Sequence, residues 1–211
     1  MSKGKETPRE IRECRKQIAK ILARPDLFFT FQPMESPYQR YYFGSEDGSM
    51  AETGDRVYSV VPFFETEAAK YWLGVSVDVA AGRKLNLRGV SLVVFEGGEA
   101  SSAVKTPAFR AEWDYTDAHQ LNRHAQPHWH VYSVIDKSLE EMDSTFEPEP
   151  QVKEFKPKRF SASRQFHFAM GSQWHVAKDS HTCELDFDNL YKWLDGCVNY
   201  IRGQFDYLYS S

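Results

Sequence analysis

Cysteine is scarce in this chain: 211 residues carry three, Cys14, Cys183 and Cys197. The count is odd and the spacing wide, which excludes a disulfide framework or a zinc ribbon as the organising device. Long apolar runs are also missing, and no stretch approaches the roughly 20 residues a membrane-spanning helix needs. The opening MSKGKETPREIRECRK has no apolar centre of a signal peptide. A reducing cytoplasmic location without membrane attachment is therefore expected. Surplus positive charge is absent, the formal net charge being −4. A dedicated duplex-DNA binder, whose phosphate contacts need a basic excess, is not expected. No Walker, Rossmann, nucleophile-elbow or kinase pattern is found.

What is present describes a globular protein. The length suffices for a core without covalent staples and fits a single domain over 1–211. Aromatic residues make up 15%, and each brings a large apolar area to a core or a partner surface. Charge is unevenly spread: residues 1–25 hold eight Lys or Arg against Glu6, Glu10 and Glu13, so the remainder is acidic.

Residues 8–24 read as a basic N-terminal helix, with Thr7 as cap, Pro8 in the first turn and Pro25 as stop. Ile11, Cys14, Ile18, Ile21 and Leu22 keep helical spacing. The cationic opposite face is an ordinary solvated face or a surface for nucleic acid or a protein partner. Residues 27–65 read as aromatic strands broken by turns, with Gly44 to Gly54 a polar loop and Pro62 marking a strand edge or end. From residue 71 the alternation is clean. Tyr71, Leu73, Val75, Val77 and Val79 share one face, and Trp72, Gly74, Ser76 and Asp78 the other. Residues 85–98 form the next strand. Residues 137–160, with Pro148, Pro150 and Pro157, read as a long surface loop. The stripe of Leu190, Trp193, Leu194, Cys197, Val198, Ile201, Phe205 and Leu208 makes 186–209 a long C-terminal helix, with Asp188 as its N-cap. The order helix, strands, helix with short links predicts an α+β fold. A mainly antiparallel sheet of six to seven strands would carry both helices packed on it.

The same alternation gathers titratable groups. Phe109, Ala111 and Trp113 point to the core, so Arg110, Glu112 and Asp114 point away from it. Trp129 and Val131 do likewise, leaving His128, His130 and Tyr132 on the opposite face, and Gln165 and His167 follow on a later strand. His119, His124 and His175 lie in neighbouring loops. If the strands are adjacent, these groups meet on an open sheet face. Three readings stay open. Histidines with a neighbouring carboxylate suit general acid–base chemistry, and two of them with Arg110 can cleave RNA without metal, one taking the 2′-hydroxyl proton and the other protonating the leaving oxygen. His128 and His130, with Asp114 or Glu112 and a third histidine such as His124, suit a divalent metal such as zinc, manganese or iron. A merely solvated polar face is the third reading. His181 and Cys183 lack a second ligand pair and read as ordinary strand-end residues.

The stretch FRAEWDYTDAHQLNRHAQPHWHV resembles the TumE-like toxins of prokaryotic toxin–antitoxin pairs. Trp113-Asp114 matches their aromatic-Asp dipeptide at a strand end, and Pro127-His128-Trp129-His130 matches their Pro-His-x-His strand. The likeness covers about residues 85–135 and, loosely, the final helix. It implies a defence-system endoribonuclease acting on RNA and held by an antitoxin partner. The longer N-terminus, the Trp between the histidines and loop 137–160 depart from that pattern. They fit equally a non-catalytic subunit of a larger defence complex.

Overall fold

The computed structural model describes residues 8–35, 37–53, 56–67, 69–80, 85–98, 105–114, 127–131, 168–169 and 185–209. Helix α1 spans Arg9–Leu22 and buries Ile11, Cys14, Ile18 and Leu22, one residue every three to four. Pro8 stands at the cap position rather than inside the first turn. Its carbonyl accepts the Ile11 and Arg12 N–H groups, while Thr7 lies outside the described residues. Ala23 ends the helix in the left-handed region (φ 55°), and the Arg24 N–H closes back onto the Ala19 carbonyl at 2.8 Å before Pro25.

Among the described residues nine antiparallel strands follow: β1 Phe28–Pro33, β2 Tyr38–Gly44, β3 Ser49–Thr53, β4 Arg56–Glu65, β5 Lys70–Ala80, β6 Asn86–Gly97, β7 Lys105–Asp114, β8 His128–Val131 and β9 Phe168–Ala169. The order across the sheet is β1-β2-β5-β6-β7-β8-β9, and β3 pairs with β4. The strand count exceeds six to seven, and β3 lies inside the stretch read as a loop. Among its described side chains Ala51 alone is buried, too faint a signal for period two to be seen.

One edge of β5 is shared. Its second half pairs with β2 and its first half with β4, so β4 diverges from the main sheet and continues into the β3–β4 hairpin. A β-bulge next to Pro62 interrupts the β4–β5 pairing, where a residue without an N–H is tolerated. The hairpin lies across the second face of the sheet. Tyr58 packs over Gly74, edges onto Phe95 and meets the Ser91 hydroxyl at 3.3 Å. The sheet thus has two cores. On the first face α1 and a second helix, α2 (Phe187–Tyr209), cover Val75, Val77, Val90, Leu92, Ala111 and Trp113. On the second, the hairpin buries Tyr42, Ala51, Tyr58, Val60, Trp72, Val93 and Phe95.

Helix α2 is capped by Asp186, not Asp188: the Asp186 carboxylate accepts the Asn189 N–H at 2.7 Å. Asp188 falls within the first turn, where its charge still suits the helix dipole. Arg202 of α2 donates to the last carbonyls of α1, at Ile21 and Leu22, and locks the two helices together. No helix among the described residues is long and apolar enough to cross a membrane. Loop 137–160 lies outside the described residues.

Candidate metal centre

Strand register builds the site. In the β7–β8 ladder Glu112 stands opposite His128, and Arg110 opposite His130. Directly opposed residues share a sheet face and bring their Cβ atoms within about 5.5 Å, so two short segments suffice to assemble the cluster. The row continues across the sheet as Tyr42, Ser76, Ser91, Glu112 and His128. A parallel row holds Arg40, Asp78, Gly89 and Asp114. Phe109 and Trp129, which alternate with the polar residues, pack toward the helix-covered core.

Three donor atoms converge. His128 Nε2 and His130 Nε2 are 2.8 Å apart, His130 Nε2 and Glu112 Oε2 3.0 Å, and His128 Nε2 and Glu112 Oε2 3.8 Å. Ligands about 2.0–2.1 Å from a tetrahedral ion lie roughly 3.3 Å from one another, a value that these spacings straddle. Glu112, His128 and His130 can therefore hold a metal ion. The carboxylate of the group is Glu112, one of the two acids, Asp114 and Glu112, that the spacing had offered beside His128, His130 and a third histidine such as His124. His124 lies outside the described residues, as do Tyr132, His167, Gln165, His119, His175, His181 and Cys183.

The cluster is enclosed, not laid on an open sheet face. His128 is fully buried, Glu112 is 4% exposed and the His130 side chain 12%. The hairpin that encloses much of this face is invisible to strand alternation, which tells one side of a strand from the other but not what crosses it. It also delivers a residue that no motif marked. Arg56, the first residue of β4, donates from Nη1 to Glu112 Oε1 at 3.0 Å. Arg110 Nη2 lies 2.9 Å from Glu112 Oε2. Farther along, Arg40 clasps Asp78 through two 2.6 Å bonds, Nε to Oδ1 and Nη2 to Oδ2. The polar side of β5 had shown Asp78; neither arginine partner could be read at 38 and 56 residues' separation.

Charge separates the two acids of β7. Burial by itself would raise the Glu112 carboxyl, but the His130 hydrogen bond and the positive charges of Arg110 and Arg56 outweigh it and hold the group down at about 2. Asp114 is pushed up to about 7 by burial, then by the negative charges of Glu112 and Asp78, against the pull of Arg56 and Arg110. Its carboxylate lies over Gly89, where an added Cβ would stand 2.8 Å from Oδ1. Only a residue without a side chain leaves that space.

In-line cleavage by two histidines puts base and acid on opposite sides of the phosphorus, with nitrogens on the order of 6 Å apart. Nitrogens 2.8 Å apart address a single point. That convergence suits one cation, and two histidines with a carboxylate are a ligand set of catalytic metal sites with positions left open for substrate. No family model, no curated protein and no solved structure matches the chain.

Proposed function

We propose that this chain is a metal-dependent phosphodiesterase of a prokaryotic defence system, with RNA as its substrate class. The observation that carries the reading is the meeting of His128 Nε2, His130 Nε2 and Glu112 Oε2 within 3.8 Å. A divalent cation there would polarise a phosphoryl oxygen and activate water. Arg110 and Arg56, whose guanidinium groups carry five N–H donors each, hold Glu112 in place and keep further donors for charge developing on the phosphate. Asp114, two residues along the same face and holding its proton up to about 7, would be the acid that serves the leaving oxygen. Support for RNA and for a defence role comes from the resemblance of the Trp113-Asp114 and Pro127-to-His130 segments to TumE-like toxins.

The test incubates the purified chain with RNA under four conditions: as isolated, with EDTA, and with zinc or manganese restored after EDTA. Cleavage should vanish with EDTA, return with one metal, and be reduced about 100-fold or more in His130→Ala. Cleavage that is indifferent to EDTA and equal in His128→Ala/His130→Ala removes the proposal. A non-catalytic subunit of a defence complex is a second reading. It is favoured by the exposed Tyr200, Tyr207, Leu208 and Tyr209 of α2 beside an apolar groove of about 540 Å3 that Phe109, Trp129 and Phe205 help to line. Co-purification with the products of neighbouring genes, an antitoxin among them, tests it; migration as a lone monomer with all of them opposes it.

A further inference from the structure

We infer that the outer face of α2 pairs antiparallel with α2 of a second copy of this chain. The inference does not depend on the metal reading. Gly196, Tyr200, Gly203 and Tyr207 follow one another at spacings of four, three and four residues, which sets them along one line of a helix. All four are exposed, Tyr200 by 62% and Tyr207 by 78%. The buried residues of α2, Leu190, Leu194, Cys197, Val198, Ile201 and Phe205, take the other side, in the first-face core.

Packing within the chain does not call for the two glycines. Gly74 and Gly89 are crowded by Tyr58 and Asp114, whereas a Cβ added at Gly196 or Gly203 would meet no atom within 4 Å. Alanine at either position would strengthen the helix. Glycine gains where a second molecule must come close to the backbone. The pattern also says which occupant it suits. Turned about a two-fold axis between Ile201 and Arg202, the helix meets its own copy with Tyr207 over the partner's Gly196 and Tyr200 over the partner's Gly203. Each ring then falls on a gap, as knobs fall into holes in paired helices, and the contact is isologous and closes at two copies. A parallel pair would set tyrosine on tyrosine and glycine on glycine. A foreign partner would call for no such match within a single helix. Charge does not oppose the contact: the four positions carry none, and Arg202 is turned to the α1 carbonyls of Ile21 and Leu22. The two rings supply roughly 300 Å2 of exposed surface per copy. With the exposed Lys192, Asn199 and Gln204 beside them the face reaches roughly 500 Å2, the size of weak, reversible interfaces.

The test is sedimentation velocity of the full chain in EDTA and without RNA, from about 1 to about 300 μM. The wild type should pass from monomer to dimer across that range and stop there. Gly196→Gln/Gly203→Gln fills both gaps with a good helix former. It should stay monomeric at the highest concentration yet, at about 1 μM, melt at or above the wild-type temperature. Tyr200→Ser/Tyr207→Ser should weaken the dimer about tenfold or more. Circular dichroism of these surface variants confirms that they fold. A wild type that stays monomeric throughout overturns the inference. So does a dimer that the glycine variant forms as well as the wild type, or growth beyond two copies. His128→Ala/His130→Ala should dimerise like wild type, so failure of the metal proposal and failure of this one are read in separate experiments.

Discussion

Glu112 and Asp114 occupy one strand face two residues apart, and their surroundings drive them in opposite directions. Glu112 receives His130, Arg56 and Arg110, while Asp114 is buried beside the negative charges of Glu112 and Asp78. The linkage has a definite sign. In chelated protein the folded state keeps the Asp114 proton up to about 7, whereas the unfolded chain releases it near the ordinary aspartate value of ~3.9. The native state therefore binds more protons across that window, and the Asp114 contribution to stability falls as pH rises through it. Asp114→Asn removes this dependence. Thermal melts in EDTA should show the variant gaining about 4 °C or more over wild type at pH 8 relative to pH 5; a constant difference at both pH values contradicts the burial argument. Glu112→Ala should do the opposite of stabilising. It leaves Arg56 and Arg110 without their buried acceptor, a loss of about 3–5 kcal/mol measurable by urea unfolding.

The β3–β4 hairpin decides what kind of site this is. It covers much of the second face, brings Arg56 to Glu112 and rests on Tyr58, a fully buried ring above Gly74. Tyr58→Ala should cost about 3–5 kcal/mol and expose the histidine cluster, seen as faster hydrogen exchange along β7 and β8. Unchanged exchange there would mean that the hairpin does not shield the cluster. The helices make a comparable statement on the first face. Burial pushes the Cys14 and Cys197 thiols up to about 12, so labelling of these two residues by iodoacetamide at pH 8, followed by peptide mapping, should keep pace with global unfolding. Rapid labelling in the native state would show that α1 and α2 detach from the sheet. Strands β5 to β8 were legible because alternating residues report which side faces a core. The hairpin was not, because β3 is polar and its role is to cross a face rather than extend the sheet.

For the molecule as a whole, the sequence made the α+β class, both helices and the antiparallel habit readable: periodicity and short links are local signals. It also brought Arg110, Glu112, His128 and His130 to one side of adjacent strands, which the register bears out. Enclosure of that side, the choice of Glu112 over Asp114 where the spacing had left both open, and the arrival of Arg56 all depend on contacts across 18 to 56 residues, which no local pattern encodes. The claim on which the functional reading stands is that these donors hold a cation. Isothermal titration of zinc into EDTA-stripped protein tests it most directly. The account predicts one ion per chain for the wild type and no measurable binding for His128→Ala/His130→Ala, with Asp114→Asn retaining the site. Equal zinc uptake by wild type and the double variant, or none by either, would contradict it.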